Sequence, residues 1–289
     1  MDWNKINTGN AIDGIRKLES DSIDCILIDP PYNIGIDFGN NKTKSELTEY
    51  VEWCLEWLHE CERVLSPQGT MFIYGFSEIL AHISVKMELD HRWLIWHYTN
   101  KTVPSLDFWQ RSHESILCGW KSKEARIFNR DAVREPYTDK FVKGYKDKNR
   151  KRPNSKGRFD SGKETSYKVN DLGALPRDVI KISSLAGGSG MKERIGWCRD
   201  CQTSFFGKEY KEHKQHDNFK HPTQKPLELT RKLFASCMPE EQGKILIPFA
   251  GTGSECAVAK EMGHKFIAFD LNDEYAMMAN HFVERFPVT

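Results

Sequence analysis

The chain has no apolar run approaching the length of about 18 residues that a membrane-crossing helix needs, and its opening "MDWNKINTGN" lacks the charged and apolar regions of a signal peptide. Neither a spanning helix nor a secretory leader is expected, and the cytoplasm is the expected compartment. Charge of one sign is lacking too: 42 Lys and Arg against 41 Asp and Glu leave a net charge of +1. Paired cysteines are scarce. Of eight, six are scattered singly and only Cys198 and Cys201 form a C-x-x-C, which in an intracellular chain of this size argues for thiols or metal ligands over a disulfide scaffold. There is no internal repeat. What remains is a globular chain of 289 residues, 39% hydrophobic, able to bury one large core or a core with a smaller appended domain.

The small net charge averages over an uneven distribution. Residues 121 to 170 carry sixteen Lys and Arg against seven Asp and Glu, while the helix-like Glu46 to Glu62 carries six glutamates. The stretch "KGYKDKNRKRPNSKGRFDSGK" reads either as a solvated, partly disordered loop or as an arm that follows a phosphate backbone.

Elements alternate along the rest. "DCILI" is a short continuous apolar run, the pattern of a parallel strand buried on both faces. Leu47, Val51, Cys54, Leu55, Leu58, Cys61 and Leu65 recur at helical spacing, with Pro67 and Gly69 expected to end that helix. "TMFIYG", "RWLIWHY" and "ESILCGW" read as strands, and after a weakly patterned region "PLELTRKLFASCM" reads as a helix. "KILIPF" and "KFIAFD" are further strands, each followed by a helix, "SECAVAKEMG" and "EYAMMANHFVERF". This βαβα order predicts an α/β fold: a doubly wound, mostly parallel sheet with helices on both faces.

Two stretches carry chemistry. In "ILIDPPYNIG" the prolines fix their own φ and push the preceding residue towards extended geometry, so Asp29 and Tyr32 are held in nearly fixed directions beyond a strand end. That is a site, or an unusually rigid turn. In "ILIPFAGTGSECAVA" a tight turn with Gly251 and Gly253 lets backbone amides approach a ligand, and Asp270 ends the next strand, where a carboxylate can accept both hydroxyls of a ribose. The third glycine of the dinucleotide fingerprint and the Lys-Ser/Thr of a P-loop are missing, so a nucleoside ligand without a pyrophosphate fits better.

"DPPYNIG", "HPTQKPLEL" and "PFAGTGS", in that order, resemble the β group of amino-methylating DNA methyltransferases, a likeness that extends to "WLHECERVLSPQGTMFIYG" and "SHESILCGWK". It covers most of the chain outside residues 121 to 175 and 197 to 220. The resemblance implies the α/β fold of the S-adenosylmethionine-dependent methyltransferases, circularly permuted, with an inserted recognition segment. The implied division is residues 1 to 120 as the catalytic half, 121 to 183 as the target-recognition segment and 221 to 289 as the cofactor-binding half. The implied activity is methyl transfer from S-adenosylmethionine to the N6 amine of an adenine flipped out of double-stranded DNA, with Tyr32 stacking on the base. Asp29 and the carbonyl of Pro30, on the hinge completed by Pro31, would accept from the amine. Asp270 matches a ribose-binding acid, Phe249, Gly251, Gly253 and Ser254 the loop around the cofactor, and Lys225 a lysine near its carboxylate. His113 and Glu114 match a pair to which no role is assigned.

Two positions depart from the family pattern. Ile247 stands where an acid is usual, and Asn10 where an aspartate commonly accepts from the cofactor's adenine amine, although Asn10 can still offer a carbonyl oxygen. Neither change touches the hinge, and an active enzyme is expected. The alternatives are cytosine-N4 methylation, for which Ser or Thr is usual in place of Asp29, and a DNA-binding relative that has lost catalysis. With an enzyme in view, the basic segment shifts towards DNA contact. A homodimer is one assembly open to the chain; neither its oligomeric state nor its recognition sequence is legible.

Residues 197 to 220 are not explained by the resemblance. There Cys198, Cys201, His213 and His216 form C-x2-C-x11-H-x2-H, close to a zinc-finger spacing, with Phe205 and Tyr210 available as a minimal core. A structural zinc is expected, with His221 as a substitute ligand, against the alternative of a polar surface loop whose cysteines are incidental.

Overall fold

The computed structural model describes residues 2–33, 45–100, 104–145, 150–151, 166–167, 169–186 and 192–287. By compactness the chain forms two units, one of residues 1–128 with 178–289 and one of residues 129–177. In the first, β1 (Lys5–Thr8) and the helix Ala11–Ile15 lead to β2 (Ile23–Ile28), the helix Leu47–Val64 and β3 (Leu65–Gly75). The helix Ser77–Ser84, β4 (Asp90–His97) and β5 (His113–Trp120) follow. The second unit holds the helix Asp139–Tyr145 and two short strands, β6 (Arg150–Lys151) and β7 (Ser166–Tyr167). Most of the basic arm expected between Lys143 and Arg158 lies outside the described residues, as does most of the loop after the hinge.

The chain returns with β8 (Val179–Lys181), then β9 (Ile195–Cys198), β10 (Thr203–Phe206) and β11 (Asn218–Lys220). The helix Leu227–Cys237, β12 (Lys244–Ile247), the helix Ser254–Glu261, β13 (Lys265–Asp270) and the helix Asp273–Arg285 complete it. Eight strands form one sheet in the order β1-β13-β12-β2-β3-β5-β4-β8, and only the two pairings of β5 are antiparallel. A separate three-stranded sheet runs β10-β9-β11.

The two-residue period of the strands builds a core on each face. Cys25, Leu27, Phe72, Tyr74, Ile245, Ile247, Phe266 and Ala268 pack beneath the helices Leu227–Cys237, Ser254–Glu261 and Asp273–Arg285. Their alternates Ile26, Ile28, Met71, Ile73, Leu246, Ile267 and Phe269 pack beneath Ala11–Ile15, Leu47–Val64 and Ser77–Ser84. Burial on both faces explains why these strands read as continuous apolar runs. From β12 the chain crosses outward to β13, and from β2 it crosses the other way to β3, so a crevice opens between β12 and β2 at their carboxyl ends, where such sheets bind ligands.

The helix ends at Val64, just ahead of Pro67 and Gly69 as expected, but those two residues lie inside β3. The helix passes into the strand at Leu65, and the register with β2 shifts between Ile23 and Cys25, a bulge at which the missing proline N–H costs no ladder bond. At the opposite edge β1 is short and polar, and Asn280 closes its open side, accepting from the Ile6 N–H at 2.9 Å and donating to the Ile6 carbonyl at 2.8 Å.

Gly14 sets how closely the first helix approaches the sheet, since a Cβ there would stand 2.2 Å from the Phe269 ring. Gly14→Ala is expected to destabilise the protein by about 1–3 kcal/mol in urea denaturation, and an unchanged midpoint would contradict this packing.

Candidate active site

β2 is buried from Cys25 to Ile28, and the chain leaves it through Asp29, Pro30, Pro31 and Tyr32. The hinge is held from outside: the Tyr50 hydroxyl donates to the Pro31 carbonyl at 3.0 Å, and the Asn33 side chain exchanges two 2.8 Å hydrogen bonds with the backbone of Ser45. Tyr32 meets Phe76 edge-on at 5.1 Å, and its hydroxyl donates to Glu114 Oε2 at 3.0 Å.

Into this corner comes Lys225, its side chain only 4% exposed. Its Nζ donates to both carboxylate oxygens of Asp29 at 2.8 Å and lies 3.6 Å from Glu114 Oε2. Burial alone would lower the ammonium's pKa, but the charges of Asp29 and Glu114 outweigh it and hold Lys225 well above the usual lysine range. The rings of Tyr32 and Tyr74 stand 5.2 and 5.0 Å from the same nitrogen. The Tyr74 hydroxyl is buried with no hydrogen-bond partner among the described residues.

Beside the hinge, the turn after β12 needs its glycines. Gly251 has φ +49° and Gly253 φ +75°, both left-handed, and an added Cβ would stand 3.2 Å from the His221 ring or 2.8 Å from Ala279 Cβ. Gly251 N–H donates to Asp270 Oδ2 at 2.8 Å, and Asn272 N–H donates to Oδ1 at 2.9 Å. Burial nevertheless pushes the Asp270 carboxyl up to about 6, the two backbone bonds offsetting only part of the desolvation. Burial, with Asp29 nearby, pushes Glu255 up to about 7, although Ser254 Oγ donates to it at 2.7 Å.

Asp29, Pro30, Pro31, Lys225, Phe249, Gly251, Ser254 and Asp270 line one cleft at the carboxyl ends of β2, β12 and β13. Tyr32 lines an adjoining hollow with Tyr50, Tyr74 and Phe76, and Pro30 borders both. Gly253 packs behind the turn against Ala279. Asn10 does not line the cleft; its side chain accepts from Ile12 N–H at 2.9 Å and caps the first helix. Ile247 is buried in the core under β12. Lys225 lines the cleft, but its charge is engaged by the hinge.

Two cleft residues, Glu255 and His221, are not placed there by the sequence, and Glu114, matched without a role, lies beside the cleft. Glu114 is the second residue of β5, with no local signal of its partners Tyr32 and Lys225. Glu255 follows Ser254 on a helix start where an acid is unremarkable. His221 lies edge-on to Tyr275 at 4.8 Å with its pKa lowered by burial, and its ring borders the cleft instead of replacing a metal ligand.

Sheet order, glycine turn and strand-end acids together are the fold and cleft of an α/β methyltransferase. Among solved structures the chain resembles the PvuII DNA methyltransferase (cytosine-N4-specific), with a TM-score of 0.63 at 14% identity over 96% of this chain and 85% of that one. It also resembles the M1.HpyAVI complex with SAM, with a TM-score of 0.55 at 17% identity over 95% and 96%. A family profile described as DNA methylase, of the N6/N4 type, matches residues 23–281, and the chain belongs to that family. Type II methyltransferase M.HpaI of Haemophilus parainfluenzae is 30% identical over 93% of this chain and 71% of its own length. DNA adenine methyltransferase YhdJ of Escherichia coli K12 is 27% identical over 93% and 79%.

The raised Glu255 pKa sets a pH dependence. Its folded value of about 7 lies above the ordinary 4.5, so the native state holds a proton that the unfolded chain releases in that window. The stability this group contributes is complete below pH 4.5 and is lost as pH rises towards 7. Thermal melts should therefore show the parent losing stability relative to Glu255→Gln across that window; parallel curves would contradict the assignment.

Proposed function

We propose that the chain transfers the methyl group of S-adenosylmethionine to the N6 amine of an adenine in double-stranded DNA. The observation that carries this reading is the carboxylate of Asp29, fixed on a proline hinge between a nucleoside-type cleft and an aromatic hollow. The cleft suits the cofactor: Gly251 opens the turn, Asp270 stands at the end of the adjacent strand, and Asp29, Glu255 and Asp270 outnumber Lys225 along its lining. Such a surplus of acid favours a cationic ligand and a cationic transition state. S-adenosylmethionine, when bound, supplies an electrophilic methyl group on a sulfonium.

The chain's own work is orientation. Asp29 and the Pro30 carbonyl accept from the two amine hydrogens, which leaves the nitrogen lone pair directed at the methyl carbon. Methyl transfer from the sulfonium would place positive charge on the nitrogen beside Asp29, whose carboxylate accepts from the N–H and would pass the surplus proton to solvent. Tyr32, its ring set by Phe76 and its hydroxyl by Glu114, offers a stacking face for the extruded base. Leu106, Phe108 and Trp109 are 88%, 79% and 86% exposed on the loop that leads into β5 and Glu114. Exposed apolar side chains at such a position suit a wedge that displaces stacked bases. The basic composition of residues 121 to 170 supports DNA as the partner.

Adenine is favoured over cytosine by the acid at position 29 and by the adenine relative of similar length. Duplex DNA treated with the protein and S-adenosylmethionine, then digested to nucleosides, should contain N6-methyladenine. N4-methylcytosine in its place would transfer the same machinery to cytosine, and no methylated nucleoside on any duplex would leave a DNA-binding relative.

A further inference from the structure

Away from the cleft, the fold gathers Cys198, Cys201, His213 and His216 so that one ligand atom of each lies within 4.8 Å of the others. We propose that these four residues bind one structural zinc ion, which orders the three-stranded sheet that delivers His221 and Lys225 to the cleft.

The cluster has the geometry of a closed metal site. His216 Nδ1 lies 3.4 Å from Cys198 Sγ and 3.2 Å from Cys201 Sγ. Tetrahedral zinc, with Zn–S near 2.3 Å and Zn–N near 2.0–2.1 Å, sets its ligand atoms about 3.3–3.8 Å apart. The His213 Nδ1 is buried without a hydrogen-bond partner among the described residues, a cost that a metal or a proton-sharing neighbour would remove. Cys198 ends β9 and Cys201 precedes β10, with Gln202 between them and the strand in the left-handed region at φ +52°. The Cys201 N–H donates to Cys198 Sγ at 3.4 Å, which holds the two cysteines in one tight turn. His213 and His216 come from the short helix Tyr210–His213 and the turn after it, and Phe205 stacks on His213 at 5.5 Å. Two soft sulfurs and two imidazoles with no open carboxylate suit zinc rather than magnesium or calcium.

The sheet around this cluster is small, with strands of four, four and three residues. One face packs on the last helix, Trp197 against His281 and Phe206 against Phe282 and Phe286, while around the cluster itself the apolar contact is Phe205 on His213. Yet the cleft hangs from it. β11 pairs with β9 from Asn218 to Lys220 and runs directly into His221, while Gln224 accepts from Ile195 N–H at 3.0 Å and donates to the Glu193 carbonyl at 2.8 Å. Arg199, between the cysteines, pairs with Glu274 at 2.9 Å and so fastens the turn to the last helix. A metal that locks Cys198 against His216 fixes both ends of this segment.

Full-length, tag-free protein passed over a chelating resin is expected to retain about one zinc per chain by elemental analysis. Cobalt exchanged into the site should give the strong visible absorption of tetrahedral cobalt with thiolate charge-transfer bands. Both signals should be lost in Cys201→Ser and in His216→Ala. If those variants fold poorly, stripping the parent with a mercurial reagent serves in their place. Hydrogen exchange should then quicken at residues 195–198 and 218–225 while the strands of the large sheet stay protected. Absence of zinc from the freshly purified protein, a Cys198–Cys201 disulfide by mass spectrometry, or zinc retained in both variants would overturn the site. Zinc lost with unchanged exchange over 195–225 would overturn its ordering role.

Discussion

A buried ammonium between two carboxylates is the contact on which the site depends. Asp29 directly follows β2, Glu114 is the second residue of β5, and Lys225 arrives 196 residues after Asp29 in the chain. The ladder of β2, β3 and β5 sets Asp29 and Glu114 in one sheet, and the charge draws Lys225 to them. Removing one member of such a buried pair typically costs about 3–5 kcal/mol, because the remaining charge has lost both its water and its partner. The pair also fixes direction. With Lys225 on both oxygens of Asp29 and Tyr32 bonded to Glu114, the carboxylate and the aromatic ring can turn only together.

That constraint accounts for the division of labour around the cleft. Proline stiffness aims Asp29, glycine freedom opens the wall opposite, and the surplus of acid gives the space between them a negative character. Glu255 is the adjustable part, since its carboxyl, pushed to about 7, changes charge near neutral pH while Lys225 does not. The small sheet beyond carries the lysine, so anything that loosens it acts on the hinge at a distance.

Much of the large sheet was legible because burial on both faces leaves an unmistakable record in "DCILI", "KILI" and "KFIAF". β1 and β8 were not, because Lys5–Thr8 and Val179–Lys181 are short edge strands whose order comes from a neighbour and not from their own pattern. The hinge and the glycine turn were legible as motifs, since proline and glycine act on the local backbone. Partnerships were not: Glu114 and Glu255 acquire their setting only when distant strands meet, and Asn10 was claimed by the helix it caps. The Cys and His spacing indicated the cluster with His216, and the fold carries the alternative His221 into the cleft.

The central claim is that Asp29 orients the attacking amine, and not merely that it anchors Lys225. Asp29→Asn keeps the shape and one acceptor oxygen but removes the charge and turns one acceptor into a donor. Single-turnover methyl transfer, measured alongside cofactor binding and thermal melting, separates the two roles. The account predicts at least a hundredfold slower transfer, about 2.7 kcal/mol of barrier, with cofactor binding within a few-fold of the parent and a folded protein. Transfer within tenfold of the parent, in a variant that binds cofactor and melts normally, would contradict it.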